Sequence, residues 1–346
     1  MVEAVTNQRC LIIAPSWVGD MVMAQSLFQA IKQQQPSMII DVLAPAWCAA
    51  LTDFMPEVNQ LIESPFEHKK LSLLKRWQLG KQLRNQYDVA YVLPNSFKSA
   101  LVPFFAKIPK RIGFLGEQRR GLLNQYIKLD KQQFPLMVQR FLALSQLDET
   151  TPVEKSLMPR PKLTISTKDQ TKVVNKLGVE LGFDEKVLVL CPGAEFGQAK
   201  QWPSQHYAAV ARFYIDQGWQ VWLMGSAKDV SVCQSINSLS AKSCTVFAGT
   251  TSLAEAVILM SFANLVVSND SGLMHVAAAL HKPLVAVYGS TDPGFTPPLN
   301  DNVIMESIDL ECSPCFKREC PLEHLNCLQQ LLPSKVLASA QSLVNA

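Results

Sequence analysis

The sequence predicts an α/β protein made of two doubly wound domains. Short apolar runs alternate with segments of helical periodicity along the whole chain, and this alternation is typical of parallel sheets covered by helices. The pattern is interrupted at residues 150–170, a polar segment with three prolines, and then restarts. A chain of 346 residues, 48% of them hydrophobic, is long enough to bury two cores. Two similar halves facing a central cleft are therefore expected, with ligands beyond the carboxyl ends of the strands.

The first half opens with a strand, a turn and a helix. The apolar run at residues 10–14 predicts a buried strand, and an apolar stripe of helical spacing predicts a helix over residues 20–34. Further strands are predicted at residues 38–44 and 89–93, the latter followed by a polar loop. The first half is therefore expected to form a Rossmann-like domain over residues 1–165.

The second half repeats this order of elements. Its buried apolar runs predict strands at residues 187–190, 220–224, 265–267 and 283–288. Helices are predicted at residues 206–217, 252–261 and from the turn at 269–272 to residue 280; the second of them opens with a Ser252–Glu255 capping box. A second Rossmann-like domain is expected over residues 166–328. An amphipathic helix within residues 329–346 ends the chain and can pack back on the first domain.

Positive charge is concentrated in one segment. The chain carries a net charge of +3, but residues 69–131 contain fourteen Lys or Arg and three acidic residues, a net of +11. A charge run is commonly a solvated face, and it also suits a surface that meets phosphates on a membrane or on nucleic acid. Trp77, Tyr87 and Tyr91 in this segment have the spacing of core residues rather than of a stacking platform, which argues against nucleic acid.

The composition also predicts a compartment. The N-terminus lacks the ordered regions of a signal peptide, and no stretch approaches the ~18 uninterrupted apolar residues of a membrane span. A cytoplasmic protein with mostly reduced cysteines is therefore expected. Five of the nine cysteines lie among apolar or small residues and are expected in the core: Cys10, Cys48, Cys191, Cys233 and Cys244.

The other four cysteines cluster near the C-terminus, with two, four and six residues between them: Cys312, Cys315, Cys320 and Cys327. The first spacing suits zinc, but the later ones differ from the repeated C-x2-C of a zinc ribbon. A structural role without metal is favoured, and a structural zinc stays open.

Two loops carry the first candidate site residues. The chain has no dinucleotide G-x-G-x-x-G after its first strand, no Walker A sequence, no G-x-S-x-G and no H-E-x-x-H. Instead, Gly19 stands before Asp20 at a helix start, where a glycine lets a loop approach a ligand closely. Taken alone, Asp20 is better interpreted as a helix cap. After the strand at 187–190 come Gly193, Ala194 and Glu195, and then Lys200, which can offer a cation to a phosphate.

Two further loops follow later strands. Gly225 is followed by Asp229, which can accept ribose hydroxyls or simply favour a helix N-terminus. Asp270, Ser271 and Gly272 would open a helix that continues through His275, and a helix N-terminus is a ready anion site. Each signal alone is weak, but their coincidence after consecutive strands of one half predicts a phosphate-handling site.

The sequences of these loops resemble the motifs of a known family. P-G-A-E-x4-K-x-W-P at 192–203, N-D-S-G-L-M-H-x-A-A-A-L at 269–280 and Y-G-S-T-D-P at 288–293 together resemble the heptosyltransferases of lipopolysaccharide core synthesis, glycosyltransferase family 9. S-W-V-G-D-M-V-M at 16–23 is similar to the acceptor-side loop of that family. P-G-A-E together with C-S-P-C-F-K-R-E-C-P at 312–321 is more similar to heptosyltransferase II than to heptosyltransferase I. The resemblance covers nearly the whole chain.

The resemblance implies a GT-B fold and a reaction. The first half would hold the acceptor, heptosyl-Kdo2-lipid A, and the second half ADP-heptose, with inverting transfer of the heptose. No cofactor is implied as a requirement, although a divalent cation can stimulate such enzymes. Asp20 matches the general base proposed for the family, and Lys200 matches the lysine that neutralises the leaving diphosphate.

The remaining site residues and partners are implied in the same way. Asp229 stands where a relative has a ribose-binding glutamate, and the turn at residues 270–272 matches the one that contacts the sugar and phosphate. The basic segment 69–131 would dock a cytoplasmic enzyme peripherally on the anionic inner face of the inner membrane; no nucleic acid is expected. Two alternatives are a related transferase that uses another nucleotide sugar and a non-catalytic binder. The binder predicts loss of Asp20 or Lys200, and both residues are present.

Overall fold

The computed structural model describes residues 8–67, 70–147, 151–182 and 184–345. The chain divides into two compact units, Met1–Pro161 and Lys162–Ala346. Each unit contains one sheet of six parallel strands with flanking helices, so the predicted α/β class and the two doubly wound domains are confirmed. The predicted boundary after residue 165 falls in the extended segment that precedes the first helix of the second unit.

The first unit has the strand order β3-β2-β1-β4-β5-β6. Its strands are β1 Arg9–Ile13, β2 Ile39–Ala44, β3 Val58–Glu63, β4 Val89–Val92, β5 Lys110–Phe114 and β6 Gln125–Ile127. Its helices are α1 Val18–Gln34, α2 Ala46–Ala49, α3 Leu73–Gln82, α4 Leu101–Phe105 and α5 Met137–Ala143. The direction of winding reverses between β1 and β4, and in open α/β sheets such a switch point is where ligands bind, beyond the carboxyl ends of the strands.

Helix α1 begins earlier than predicted. The sequence favoured Asp20 as its start, but the helix begins at Val18, with Trp17 at the N-cap position and no side-chain cap bond. Every residue from Met21 to Phe28 is buried. Burial on all sides outweighs the local capping preference of Asp20, because most helical stability in proteins comes from packing.

A buried carboxylate holds the middle of the first sheet. Asp41 on β2 is fully buried, and it accepts bonds from the Arg9 guanidinium at 2.6 Å, the Asn59 amide at 2.8 Å and the Tyr87 hydroxyl at 2.9 Å. A buried charge is tolerated only with such partners. This network is structural, since it lies within the sheet rather than at its carboxyl edge.

The second unit has the strand order β12-β11-β10-β7-β8-β9. Its strands are β7 Val187–Cys191, β8 Gln220–Leu223, β9 Thr245–Val246, β10 Leu265–Asn269, β11 Leu284–Val287 and β12 Val303–Glu306. Its helices are α6 Thr167–Leu177, α7 Ser204–Ile215, α8 Val230–Leu239, α9 Leu253–Met260, α10 Gly272–Ala279, α11 Asn326–Gln329 and α12 Pro333–Asn345. The switch point of this sheet lies between β7 and β10.

The C-terminal helix belongs to the second unit. Val336 and Ala340 of α12 are fully buried in the core cluster that also contains Trp202 and Leu331, and the Trp202 indole donates to the Leu331 carbonyl at 2.8 Å. The sequence separated this helix from the second domain, whereas its buried face completes that domain's core. The five scattered cysteines are buried as predicted. Within the described residues, no helix combines the length and the apolar character needed to cross a bilayer.

Candidate active site

Lys200 and Asp270 meet at the switch point of the second sheet. Lys200 ends the short 3₁₀ turn Gln198–Lys200 after β7, and Asp270 directly follows β10. The Lys200 Nζ lies 2.6 Å from Asp270 Oδ2, with the two side chains only 14% and 5% exposed. The Thr291 hydroxyl donates to the same carboxylate oxygen at 2.6 Å. The carboxylate therefore positions the ammonium group at the edge where a ligand is expected.

The first turn of α10 lies beside this pair. Ser271 is its N-cap residue in extended conformation and makes no side-chain cap bond, and Gly272 is the first helical residue. The Ser268 and Ser271 hydroxyl oxygens are 3.3 Å apart. The first amides of a helix have no intrahelical acceptors, and together with the helix dipole they favour an anion. A lysine next to such a terminus is an arrangement suited to phosphate.

Asn269 fixes these two loops relative to each other. Its fully buried side chain donates to the Pro192 carbonyl at 2.6 Å, and its oxygen accepts from the Trp202 amide at 3.1 Å and the Tyr207 hydroxyl at 2.9 Å. A buried amide with these bonds satisfied holds a single arrangement. The loops after β7 and β10 are therefore rigid before any ligand arrives.

His275 lies within α10 and is 5% exposed. Burial lowers the pKa of its imidazole to about 4, while nearby Asp270 raises it and Lys200 lowers it. The imidazole is therefore neutral at neutral pH and adds no positive charge to the site. It can act only as a neutral hydrogen-bonding group.

Asp229 lies against two glycines of the predicted site. Its Oδ2 accepts from the Ser226 amide at 2.8 Å and the Ser226 hydroxyl at 2.7 Å. A Cβ on Gly225 would lie 2.7 Å from the Asp229 Cβ, and a Cβ on Gly193 would collide with the Asp229 carboxyl group. The two glycines thus allow the loops after β7 and β8 to approach closely. Asp229 has the capping role that the sequence left open, and it also faces the β7 loop.

Ala194 and Glu195 complete the β7 loop. The Ala194 carbonyl accepts from the Gly197 amide at 3.2 Å, and Glu195, 49% exposed, forms an ion pair with Lys228. Phe196 follows, and its ring lies 5.0 Å from the Lys200 Nζ and 5.4 Å from the Arg318 guanidinium carbon. Of the residues with these contacts, Thr291, Phe196 and Arg318 were not predicted, although all three lie in or beside the quoted motifs.

Asp20 lies at the corresponding edge of the first unit. It is the third residue of α1, partly buried and in the first helical turn, while Gly19 before it is buried. The position is therefore not that of the N-cap residue. Two tryptophans share this edge: Trp17 is 46% and Trp47 is 47% exposed, and the Trp47 indole donates to the Ser16 carbonyl at 2.6 Å.

The loops after β1 and β2 contain no cationic side chains. Residues 10–31 and 39–63, which include these two loops, contain no lysine or arginine, whereas Lys98 and Arg120 lie in the loops after β4 and β5 at the same edge. The half-exposed indoles and the carboxylate suit a neutral polyhydroxylated ligand, since an aromatic ring offers an apolar face and a carboxylate accepts hydroxyl protons.

The basic segment is only partly a surface. Eight of its basic residues are exposed: Lys70, Lys75, Lys81, Lys107, Lys110, Arg120, Lys128 and Lys131. Arg76 and Arg119 are buried, and they donate to the carbonyls of Leu71 at 2.7 Å and Pro94 at 2.8 Å; burial lowers the pKa of each guanidinium to about 10. Lys69 lies outside the described residues.

The C-terminal cysteines are free thiols. Burial raises the pKa of the Cys327 thiol, with the other three cysteines close enough to raise it further, and the Leu325 amide, followed by neighbouring amides, lowers the pKa of Cys320. In the parts of the chain that the structure describes, no group of three or more His, Cys, Asp or Glu is arranged to hold a metal ion. The loop is tied instead by hydrogen bonds, one of them from the Ser313 hydroxyl to the Gly289 carbonyl at 2.7 Å.

A cavity of about 440 Å³ in the first unit lies elsewhere. Its lining includes Gln8, Met38, Asp88 and Lys110, which precede or begin β1, β2, β4 and β5. These are the amino ends of parallel strands, the edge opposite Asp20. Since ligands of doubly wound sheets bind at the carboxyl ends, the cavity is not a candidate for the reaction centre.

Comparison with known proteins agrees with this geometry. The model of glycosyltransferase family 9 (heptosyltransferase) matches residues 76–326. The chain is 44% identical over 345 residues to lipopolysaccharide heptosyltransferase 2 of Escherichia coli K12, covering 97% of this chain and 98% of that one. It is 47% identical over 298 residues to lipooligosaccharide heptosyltransferase 2 of Haemophilus influenzae, covering 84% and 86%. The solved structure of E. coli ADP-heptose lps heptosyltransferase II superposes with a TM-score of 0.85 at 42% identity, covering 98% and 99%.

Proposed function

The chain belongs to glycosyltransferase family 9, the heptosyltransferases, and on that premise we propose that it transfers heptose from ADP-heptose to the first heptose of the lipopolysaccharide inner core. The observation that carries the donor half of this proposal is the Lys200–Asp270 pair beside the first turn of α10. A lysine and free helix amides at a sheet's switch point suit the diphosphate of a nucleotide sugar.

In the donor site, Lys200 and the amides of α10 would stabilise the leaving group. The bond between the anomeric carbon and the ADP oxygen breaks, and the electron pair leaves with ADP. Negative charge therefore grows on the diphosphate in the transition state, where fixed donors are worth most. Because Asp270, which also accepts a bond from Thr291, already holds the Lys200 ammonium, little reorganisation is needed during the reaction.

On the acceptor side, Asp20 would act as general base. A sugar hydroxyl is a weak acid, so its proton must be taken as its oxygen attacks the anomeric carbon. The new bond joins that oxygen to the carbon on the face opposite ADP, which inverts the configuration, and the proton goes to the Asp20 carboxylate. The exposed indoles of Trp17 and Trp47, and the lack of cations in the loops after β1 and β2, support a neutral sugar as the group bound beside Asp20.

A direct assay tests the proposed function. The purified protein is incubated with ADP-heptose and heptosyl-Kdo2-lipid A, and the product is analysed by mass spectrometry. We expect an acceptor heavier by one heptose, released together with ADP. Kdo2-lipid A without a heptose is the control acceptor and should stay unmodified. Transfer to that control, or from another nucleotide sugar in preference to ADP-heptose, would contradict the proposal.

We expect Asp229 to bind the ribose of ADP. Both Ser226 bonds end on Asp229 Oδ2, so Oδ1 is the oxygen that would accept from the ribose. Asp229→Asn keeps the shape but replaces one acceptor by a donor, and it should therefore reduce the preference for ADP over 2′-deoxy-ADP, measured by calorimetry. An unchanged preference would exclude Asp229. In a crystal structure with ADP, a separation above ~4 Å from either Asp229 or the 270–272 turn would exclude that group.

We further propose that the first unit docks on an anionic membrane through its basic segment. Besides the eight exposed basic residues, helix α3 and the residue pair before it present Leu71, Leu73, Leu74 and Trp77 to solvent, with Leu74 65% exposed. The core position predicted for Trp77 from its spacing is therefore wrong. Apolar side chains beside lysines are typical of segments that lie in the membrane interface. A lipid-anchored acceptor would then be presented at the surface where the enzyme resides.

Membrane docking predicts salt-sensitive binding to acidic vesicles. Exposed charges are screened beyond a Debye length of about 8 Å at physiological ionic strength, so binding should weaken as salt rises and should be weak on neutral vesicles. Replacing Lys75 and Lys81 by glutamine should lower binding in a sedimentation assay. The matched control replaces Lys168 and Lys172, exposed lysines of α6, and should bind normally. Equal loss in both variants, or salt-independent binding, would contradict docking by this segment.

A further inference from the structure

The cysteine-rich loop, residues 312–327, is hydrogen-bonded to the loops that follow β7 and β11 in the second unit. The Phe316 amide donates to the Ser290 carbonyl at 2.7 Å, and the Arg318 carbonyl accepts from the Ala199 amide at 3.0 Å. Gly197 has a φ of +154°, and a Cβ at this position would collide with the Arg318 carbonyl. The close approach therefore requires glycine, and it places Arg318 next to the turn that carries Lys200.

The Phe196 ring contacts two cations. Its ring centroid is 5.0 Å from the Lys200 Nζ and 5.4 Å from the Arg318 guanidinium carbon. Both distances are within the range of cation–π attraction. Arg318 is exposed, and no salt bridge to it is found within residues 8–67, 70–147, 151–182 and 184–345. Its guanidinium therefore lies against the same ring as Lys200, without a carboxylate partner among these residues.

The net charge of the donor site also favours a second cation there. Asp270 lies 2.6 Å from Lys200, so the pair together has no net charge. The diphosphate of a nucleotide sugar carries two negative charges, and it gains more as it leaves. A second cation would offset one of these charges, and arginine presents a planar fork of donors that fits phosphate oxygens.

We propose that Arg318 binds the diphosphate of the donor nucleotide sugar together with Lys200, and that the cysteine-rich loop serves to hold Arg318 there. The inference rests on the proposed function, in that the donor is taken to be ADP-heptose. It gives a chemical role to a loop whose cysteines alone suggested only a structural element.

Binding of ADP to the full chain tests this site without the transfer reaction. In calorimetry, Arg318→Ala should raise the Kd for ADP by about 10- to 100-fold, the usual effect of removing a charged hydrogen bond. Lys317→Ala is the matched control, since it removes the same charge from the adjacent exposed residue, and it should change the Kd less than about 2-fold, as expected for a solvated surface charge. Arg318→Lys keeps the charge and should recover part of the lost affinity.

Adenosine separates phosphate binding from other effects. It lacks the diphosphate, so wild type and Arg318→Ala should bind it equally. A wild-type Kd for ADP in Arg318→Ala, an equal loss in Lys317→Ala, or an equal loss of adenosine binding would overturn the proposal. Failure of the proposed function is a different result: the wild type would transfer no heptose. ADP binding that depends on Arg318 in such a protein would leave this site standing and refute only the reaction.

Discussion

Substituting Asp20 by asparagine is expected to lower heptose transfer by about 10²–10⁴-fold, the range that general-base catalysis supplies. Asparagine is nearly the same size but cannot accept the hydroxyl proton at neutral pH. The helix does not depend on Asp20 as its N-cap, since Trp17 occupies that position. The variant loses a first-turn negative charge, which is worth only about 0.3–1 kcal/mol near a helix N-terminus. It should therefore fold and bind ADP-heptose almost normally.

The matching control is Asp53→Asn. Asp53 is an exposed carboxylate in the 3₁₀ turn Ala50–Phe54 of the same unit, so the change in charge is the same. Steady-state kinetics should show normal turnover for Asp53→Asn. Thermal unfolding should show that Asp20→Asn and Asp53→Asn are both folded. If Asp20→Asn keeps most of its turnover, the base must be sought elsewhere. Glu195 is the next carboxylate to replace, although its ion pair with Lys228 favours a binding role.

Replacing Lys200 by alanine is expected to lower kcat by about 10²–10³-fold, as loss of one donor to a developing anion typically does. Binding of the acceptor should change little. The variant also leaves the 5% exposed carboxylate of Asp270 without its cation, although Thr291 still donates to it. A buried carboxylate that loses its partner destabilises a fold, so a drop in the unfolding temperature is expected as well.

Lys335→Ala separates stability from chemistry. Lys335 Nζ lies 2.8 Å from Glu306 Oε2, and that glutamate side chain is only 9% exposed, so this substitution also removes the cation from a buried carboxylate of the same unit. It should lower the unfolding temperature while leaving kcat unchanged. A folded Lys200→Ala variant with normal kcat would remove Lys200 from the site. Equal losses of kcat in both variants would mean that stability, not the leaving group, is affected.

Several residues of the candidate site are identifiable from the amino-acid sequence alone. Lys200, Asp270 and Ser271 were predicted because they follow apolar runs that indicate strands. The motifs that contain them also resemble those of glycosyltransferase family 9. Their mutual contacts were not predictable in the same way. The partner of Lys200 is 70 positions away in the chain, and only the pairing of β7 with β10 brings the two loops together.

Features that depend on burial were predicted less well from the sequence. Residues 69–131 were interpreted as one charged surface, whereas Arg76 and Arg119 are buried and donate to backbone carbonyls. A composition count cannot distinguish an exposed guanidinium from a buried one. The start of α1 is a similar case, because a local capping preference favoured Asp20 while packing of the whole helix extended it to Val18.

The sequence by itself determined the class of fold, seven of the twelve strands in the described residues and the loops in which candidate ligand-binding residues occur, because apolar periodicity encodes which faces are buried. The short or half-exposed strands β3, β5, β6, β9 and β12 were not predicted. Tertiary structure alone decided which side chains from those loops meet. Thr291 reaches Asp270, and Arg318 reaches the Lys200 turn, only because β10 lies between β7 and β11 and because Gly197 admits the cysteine-rich loop. Such contacts depend on strand order and close approach, which local patterns do not specify.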